Sequence, residues 1–260
     1  MAEQLVLQQL EDGILTLTLN RPDKANALNP PMMRQLTAAM SEAASNERAR
    51  VVIVTGAGKA FCAGGDIGAN RPADTLVNRI KWLRDNMETT RILYEMPKPT
   101  IAMVNGASAS VGLALAGACD FRVASSKAVF VTSFIKAGLS GDYGASYFLT
   151  RLLGSAKARE LMYLSENVSA DEALRIGMVT KVSAPEELYA DTMALANKLA
   201  AAPPITLQLM KQNMNAAVSA SLSEQLDQEA TNMVLSSLTD DHREAIKAFI
   251  EKREPVFTGK

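Results

Sequence analysis

Residues 51–67 read VVIVTGAGKAFCAGGDI: four apolar residues, then a loop rich in glycine. A short run such as VVIV that stops at a glycine fits a strand buried on both faces. Upstream, residues 14–20 (ILTLTLN) alternate Leu15, Leu17 and Leu19 with Thr16 and Thr18, the pattern of a half-buried strand. Between the two, Pro30 and Pro31 open a helix, and Met33, Leu36, Met40, Ala43 and Ala44 give it one apolar face. Strand, helix and strand in this order predict a parallel pair. The glycine loop would then lie at the carboxyl end of a parallel strand, where such sheets bind ligands.

Two phosphate motifs were tested on that loop. A P-loop around Gly58 and Lys59 requires a glycine where Ile53 stands and a Ser or Thr where Ala60 stands; a dinucleotide fingerprint from Gly56 requires a glycine at Phe61. Both fail.

Downstream, residues 74–95, starting at Asp74, predict a charged helix punctuated by Pro97 and Pro99. Residues 101–104 form the next buried strand, followed by Asn105, Gly106 and a helix of small residues over 110–118. Strands follow at 121–124 and 128–131, then a second glycine loop, GLSGDYG (138–144), and a helix over 145–153. Beyond residue 155 the chain reads as mostly helical, with a short strand at 178–182. Ser169 and Glu172 form a capping-box pair, Gly177 suits a helix C-terminus, and Asp240 or Asp241 can cap the last helix. Leu209, Met210 and Met214 leave an apolar stripe that a neighbouring subunit can cover.

The formal charge of -1 gives no electrostatic reason to expect nucleic acid or a membrane surface. Two cysteines, Cys62 and Cys119, cannot build a disulfide framework and read as reduced core thiols. The start of the chain does not resemble a signal peptide, and no apolar run reaches the ~18 residues of a membrane span, so a cytoplasmic protein is expected. A lone histidine, His242, leaves no basis for a histidine-ligated metal site, and none is expected.

Gly64-Gly65-Asp66 ends the first glycine loop, and Ser110-Val111-Gly112 starts the small-residue helix. One backbone N–H from each can converge on a single oxygen as an oxyanion hole, the second with the help of a helix N-terminus. Spacing alone favours the simpler reading, glycines that merely permit tight turns.

Five segments change that balance: LTLNRPDKANALNP (17–30), residues 51–67, KPTIAMVNGASASVG (98–112), CDFRVAS (119–125) and GLSGDYGASYFLTRLLG (138–154). In this order and at these separations they resemble the enoyl-CoA hydratase/isomerase (crotonase) family over almost the whole chain. The resemblance implies an α/β fold, a spiral of β-β-α units (residues 1–195) with a helical C-terminal trimerisation region (196–260). It implies a homotrimer or a hexamer built as a dimer of trimers, and no permanently bound cofactor. Coenzyme A would enter only as part of an acyl-CoA substrate. By position, Gly65 and Val111 would supply the oxyanion N–H groups, and Lys24, Ala25, Ala27, Ala63 and Ile67 would line the coenzyme A groove.

The departures carry as much as the matches. Hydratases of the family activate water with two glutamates; here those positions hold Ala114 and Phe134, and neither an alanine methyl nor a phenyl ring moves protons. An acid stands instead at Asp142, where several branches keep their sole catalytic carboxylate. This constellation, with the C-terminal EKREPVFTGK, resembles most the ring-epoxide phenylacetyl-CoA isomerase branch. The expectation is therefore an enoyl-CoA isomerase using Asp142, with a hydratase working through Glu88 or Glu95, or a non-catalytic coenzyme A binder, as rivals. Trp82, Leu83, Met87 and Tyr94 line either an acyl pocket or a helix core, and Asp66 stabilises its own loop.

Overall fold

The structure is a computed structural model that describes residues 3–68 and 75–260. The helix start expected at Asp74 lies outside the described residues. Strand β1 (Val6–Glu11) turns back on β2 (Ile14–Leu19) as an antiparallel hairpin. Asp12 (φ 47°) and Gly13 (φ 80°) make the turn, the left-handed pair that a two-residue hairpin requires. Helix α1 (Pro30–Ser45) follows, capped by Asn29, whose side chain accepts from the Met32 N–H at 2.9 Å.

Three turns of the spiral come next. The first is β3 (Val51–Gly56), β4 (Ala60–Cys62) and α2 (Leu76–Glu95); the second is β5 (Thr100–Val104), β6 (Ala107–Ala109) and α3 (Val111–Ala118). The third is β7 (Phe121–Ser125), β8 (Val129–Val131) and α4 (Ala145–Leu164). Helix α4 is broken at Gly154 (φ 75°), so its first half ends where the sequence predicts. Then come β9 (Val168–Ser169), α5 (Ala170–Arg175), β10 (Lys181–Ser183), α6 (Leu188–Ala200), α7 (Pro204–Ala216), α8 (Leu222–Ser237) and α9 (Asp240–Glu251).

Each turn places one strand in each of two sheets. The larger runs β1-β2-β3-β5-β7-β10 and the smaller β4-β6-β8-β9. Within the larger sheet β2, β3, β5, β7 and β10 are parallel. The VVIV run alternates between two cores: Val52 and Val54 face the main one, while Val51 and Ile53 face a second core with Leu188 and Ala196 of α6. Both faces of the strand are thus dry, as its unbroken apolar sequence requires. Residues 195 and 196, the expected boundary, fall inside α6.

Two local expectations are corrected. The strand expected at 178–182 is confined to Lys181–Ser183. Met178 and Val179 are instead buried plugs whose N–H groups both bond to the Ala173 carbonyl, after Gly177 (φ 79°) ends α5. The last helix is capped by Thr239, whose hydroxyl accepts from the His242 N–H, and not by Asp240 or Asp241. Asp241 is buried because its carboxylate accepts from the Thr258 and Gly259 N–H groups at 2.7 and 2.9 Å, holding the tail of the chain.

Candidate active site

The parallel pair β4 and β6 sets the site. Ala60 faces Ala107 and Cys62 faces Ser108, so both chains leave the sheet side by side, one into Gly64-Gly65 and the other into Ser110-Val111. Two glycines let them close. A Cβ on Gly112 would stand 2.2 Å from the Cys62 carbonyl oxygen, and one on Gly64 (φ 108°) would stand 3.0 Å from the Ser110 Cβ. No other side chain fits at such contacts.

Next to this seam, Leu28 bridges Gly65 in parallel fashion. Its N–H donates to the Gly64 carbonyl at 2.8 Å, and its carbonyl accepts from the Asp66 N–H at 2.9 Å. A parallel bridge spends the groups of the flanking residues, so the N–H of Gly65 itself points away from Leu28. No acceptor takes it among the described residues. The N–H of Val111, first residue of α3, is one of the four donors that a helix leaves without an internal partner. At the far end of α3, Arg122 is buried and donates to the carbonyls of Cys119 (2.6 Å), Ala116 (3.4 Å) and Met178 (2.7 Å). Burial lowers its pKa, yet its cation completes the carbonyl end of the helix whose N–H end faces the site.

Ser110 precedes the helix at φ 50° and ψ -117°, a conformation open to glycine and costing other residues about 1–3 kcal/mol. Ala25 (φ 48°), Asn26 (φ 56°) and Tyr143 (φ 52°) are held in the same half of φ space. Asn26 is fully buried: its carboxamide accepts from the Arg21 N–H at 2.9 Å and donates to the Ala57 and Ala60 carbonyls at 2.9 and 2.8 Å. Such a network fixes the segment around Lys24 against the glycine loop. Ala63 donates to the Ala25 carbonyl at 3.0 Å, which joins the two segments; Ala27 donates to the Lys24 carbonyl at 3.0 Å within its own turn, and Ile67 is exposed. Asp66 accepts from Arg21 at 3.1 Å and from the Gly68 N–H at 3.1 Å, a loop-stabilising role.

Ala114 and Phe134 are both buried. Ala114 lines a small, mostly apolar cavity of about 10 Å³ with Phe130, Ala145 and Phe148. Because Ala114 and Ala145 share this cavity, the first turns of α3 and α4 abut. Val111 and Asp142 each stand three residues earlier. Asp142 is half-buried, with its Oδ1 shielded from solvent, and its carbonyl accepts from the Ala145 N–H at 3.0 Å. It follows Gly141 (φ 104°), where a Cβ would stand 3.5 Å from the Phe134 ring.

Burial pushes the Cys62 and Cys119 thiols up to about 12, so both are protonated core groups near neutral pH. Trp82, Leu83, Met87 and Tyr94 pack against the main core. His242 is exposed at the start of α9. Among the described residues no group of three His, Cys, Asp or Glu is placed to hold a metal, and no helix is long and apolar enough to cross a membrane. The left-handed φ of Ser110 and the carbonyl contacts of Arg122 carry no sequence signal, one being a serine between small residues and the other an arginine within a strand.

A sequence profile of the enoyl-CoA hydratase/isomerase family matches residues 9–260. The chain is 37% identical to a 1,2-epoxyphenylacetyl-CoA isomerase from Escherichia coli (strain K12), covering 99% of each protein. It is 35% identical to a short-chain-enoyl-CoA hydratase from Clostridium acetobutylicum, over 96% of this chain and 95% of that one. Among solved structures it superimposes on an enoyl-CoA hydratase from Bacillus anthracis with a TM-score of 0.93 at 29% identity, covering 99% and 100% of the two chains.

Proposed function

Since this chain belongs to the enoyl-CoA hydratase/isomerase family, we propose that it isomerises an enoyl-CoA, moving a double bond by proton transfer, rather than adding water across it. The observation that carries this reading is the pair of buried apolar residues, Ala114 and Phe134, where hydratases would need carboxylates. The Gly65 and Val111 N–H groups polarise the thioester carbonyl. Removal of a proton from the α-carbon of a 3-enoyl thioester leaves a dienolate whose negative charge collects on that oxygen. One such donor is worth about 3 kcal/mol of barrier, so the pair is a major term. The Asp142 carboxylate takes the α-proton, and the resulting acid returns a proton to the γ-carbon, giving the 2-enoyl thioester with no change in composition. Lys24, Ala25, Ala27, Ala63 and Ile67 line the coenzyme A groove.

The hydratase alternative through Glu88 or Glu95 is disfavoured by their partners. Glu88 is held between Arg91 and Arg84, which keep its carboxyl below the usual range, and Glu95 accepts from Arg91 at 2.5 Å. A base locked between two guanidinium groups is poorly placed to activate water.

Residues 196–260 form the region through which subunits meet, as a trimer or a dimer of trimers. Supporting this, Met210, Met214, Leu222, Met233, Phe249 and Ile250 are all more than half exposed on α7, α8 and α9.

The test is a short 3-enoyl-CoA in heavy water, with products followed by chromatography and mass spectrometry. An isomeric 2-enoyl-CoA is expected from the wild type and not from Asp142→Asn, which still binds coenzyme A. A product one water heavier would make the enzyme a hydratase.

A further inference from the structure

Ser110 sits at the N-cap of α3, where a serine hydroxyl ordinarily accepts a hydrogen bond from the second or third N–H of the helix. Here the hydroxyl makes no such bond. The positive φ turns the side chain off the helix axis and lays it over Gly64. A Cβ built on Gly64 would meet the Ser110 Cβ at 3.0 Å and its Oγ at 3.4 Å. The backbone cannot relax, because the Ser110 N–H is tied to the Val131 carbonyl at 3.0 Å and the Ser110 carbonyl accepts from the Ala114 N–H at 3.2 Å. Ser110 is half-buried and adjoins both candidate donors: it directly precedes Val111, and it covers the residue directly preceding Gly65.

From this placement we infer that the Ser110 hydroxyl is a third donor to the thioester oxyanion, a catalytic residue supplied by a side chain beside two backbone N–H groups. This rests on the oxyanion reading given above. A hydroxyl here serves no cap, and glycine would hold the same turn without strain. Keeping a serine at an unfavourable φ is the pattern of stability given up for activity. The hydroxyl rotates freely about its C–O bond, so it follows the oxygen as the carbonyl becomes an enolate. No bond to Ser110 forms or breaks; it donates throughout.

The test uses acetoacetyl-CoA, whose enolate absorbs in the near ultraviolet, together with 3-enoyl-CoA turnover and thermal melting of wild type, Ser110→Ala and Ser110→Gly. The wild type is expected to bind acetoacetyl-CoA with an enolate band. Both variants are expected to weaken that band and to lower kcat by roughly 10- to 100-fold, with KM changing less than threefold. Ser110→Gly is expected to melt no lower than wild type, which separates a lost donor from a damaged fold even if Ser110→Ala folds poorly. An enolate band and kcat unchanged in Ser110→Gly would overturn the assignment of Ser110 and leave the backbone donors standing. A wild type that binds acetoacetyl-CoA without any enolate band would overturn the oxyanion reading itself, and Ser110 with it.

Discussion

A single methyl group at Gly112 would stand 2.2 Å from the carbonyl oxygen of Cys62, and neither atom belongs to a side chain that can swing away. The helix would have to lift off the strand, opening the seam between the two glycine loops. Gly112→Ala is therefore expected to cost about 2–3 kcal/mol, the upper range for overpacking. In a chain of this size that is roughly a 5–10 °C fall in melting temperature by calorimetry. Its loss of thioester turnover should exceed what the remaining folded fraction explains. At this scale the site was legible through the family resemblance, since Ala114 and Phe134 stand out only where the family's hydratases keep two acids. The left-handed backbone of Ser110 was not, because it is imposed by the groups that its own N–H and carbonyl bond to.

Helix α3 has eight residues, no acidic residue in its first turn and no basic residue in its last. It is served instead by Arg122 from the strand that follows. With all its bonds going to carbonyls, this buried cation holds three segments together: the end of α3, the turn after it and the plug at Met178. Charge-assisted hydrogen bonds contribute about 1.5–3 kcal/mol each, so Arg122→Met is expected to lower stability by several kcal/mol. Denaturant titration would report this as a lower midpoint at similar slope. The dependence on salt should be weak, since Arg122 is buried and screened little. The same scale shows where element prediction stops. Strand β1 shows no alternation, because it is an edge strand with mostly exposed residues (burial confined to Val6 and, in part, Leu10), although Asp12-Gly13 marks its hairpin. Met178 and Val179 look like strand residues because burial selects the same types, whether or not the backbone joins a sheet.

Across the whole molecule, the tail after α9 is fastened back onto the fold. Glu244 accepts from Arg253 at 2.5 and 2.9 Å and from the Val256 N–H at 3.0 Å, and these bonds hold its carboxyl down at about 2. A carboxyl with a folded pKa below its unfolded one adds stability above its ordinary range and loses that contribution as pH falls toward about 2. Glu244→Gln should therefore melt lower than wild type at pH 7, with the gap narrowing below about pH 4 as scanning calorimetry is repeated in acid. The exposed apolar residues of α8 and α9 lead to a further expectation. Light scattering should give a trimer or hexamer mass for the wild type, and a smaller species for Met233→Glu combined with Phe249→Glu. The α/β order of parallel strands, glycine loops and helices was readable from the residues, whereas the spiral came only with the family resemblance. The assignment of the last helices to subunit contact likewise rests on the resemblance, because a helix that packs on a neighbour and one that packs on its own core have the same periodicity.

The candidate donors at Gly65 and Val111 are main-chain groups, and every codon except those for proline writes an N–H at those two places. Genetic drift can therefore alter the side chains around them without erasing the positive pole they create. An ancestor could lose both of its water-activating acids and still hold an activated thioester, waiting for one new carboxylate on a neighbouring loop to give it a different reaction.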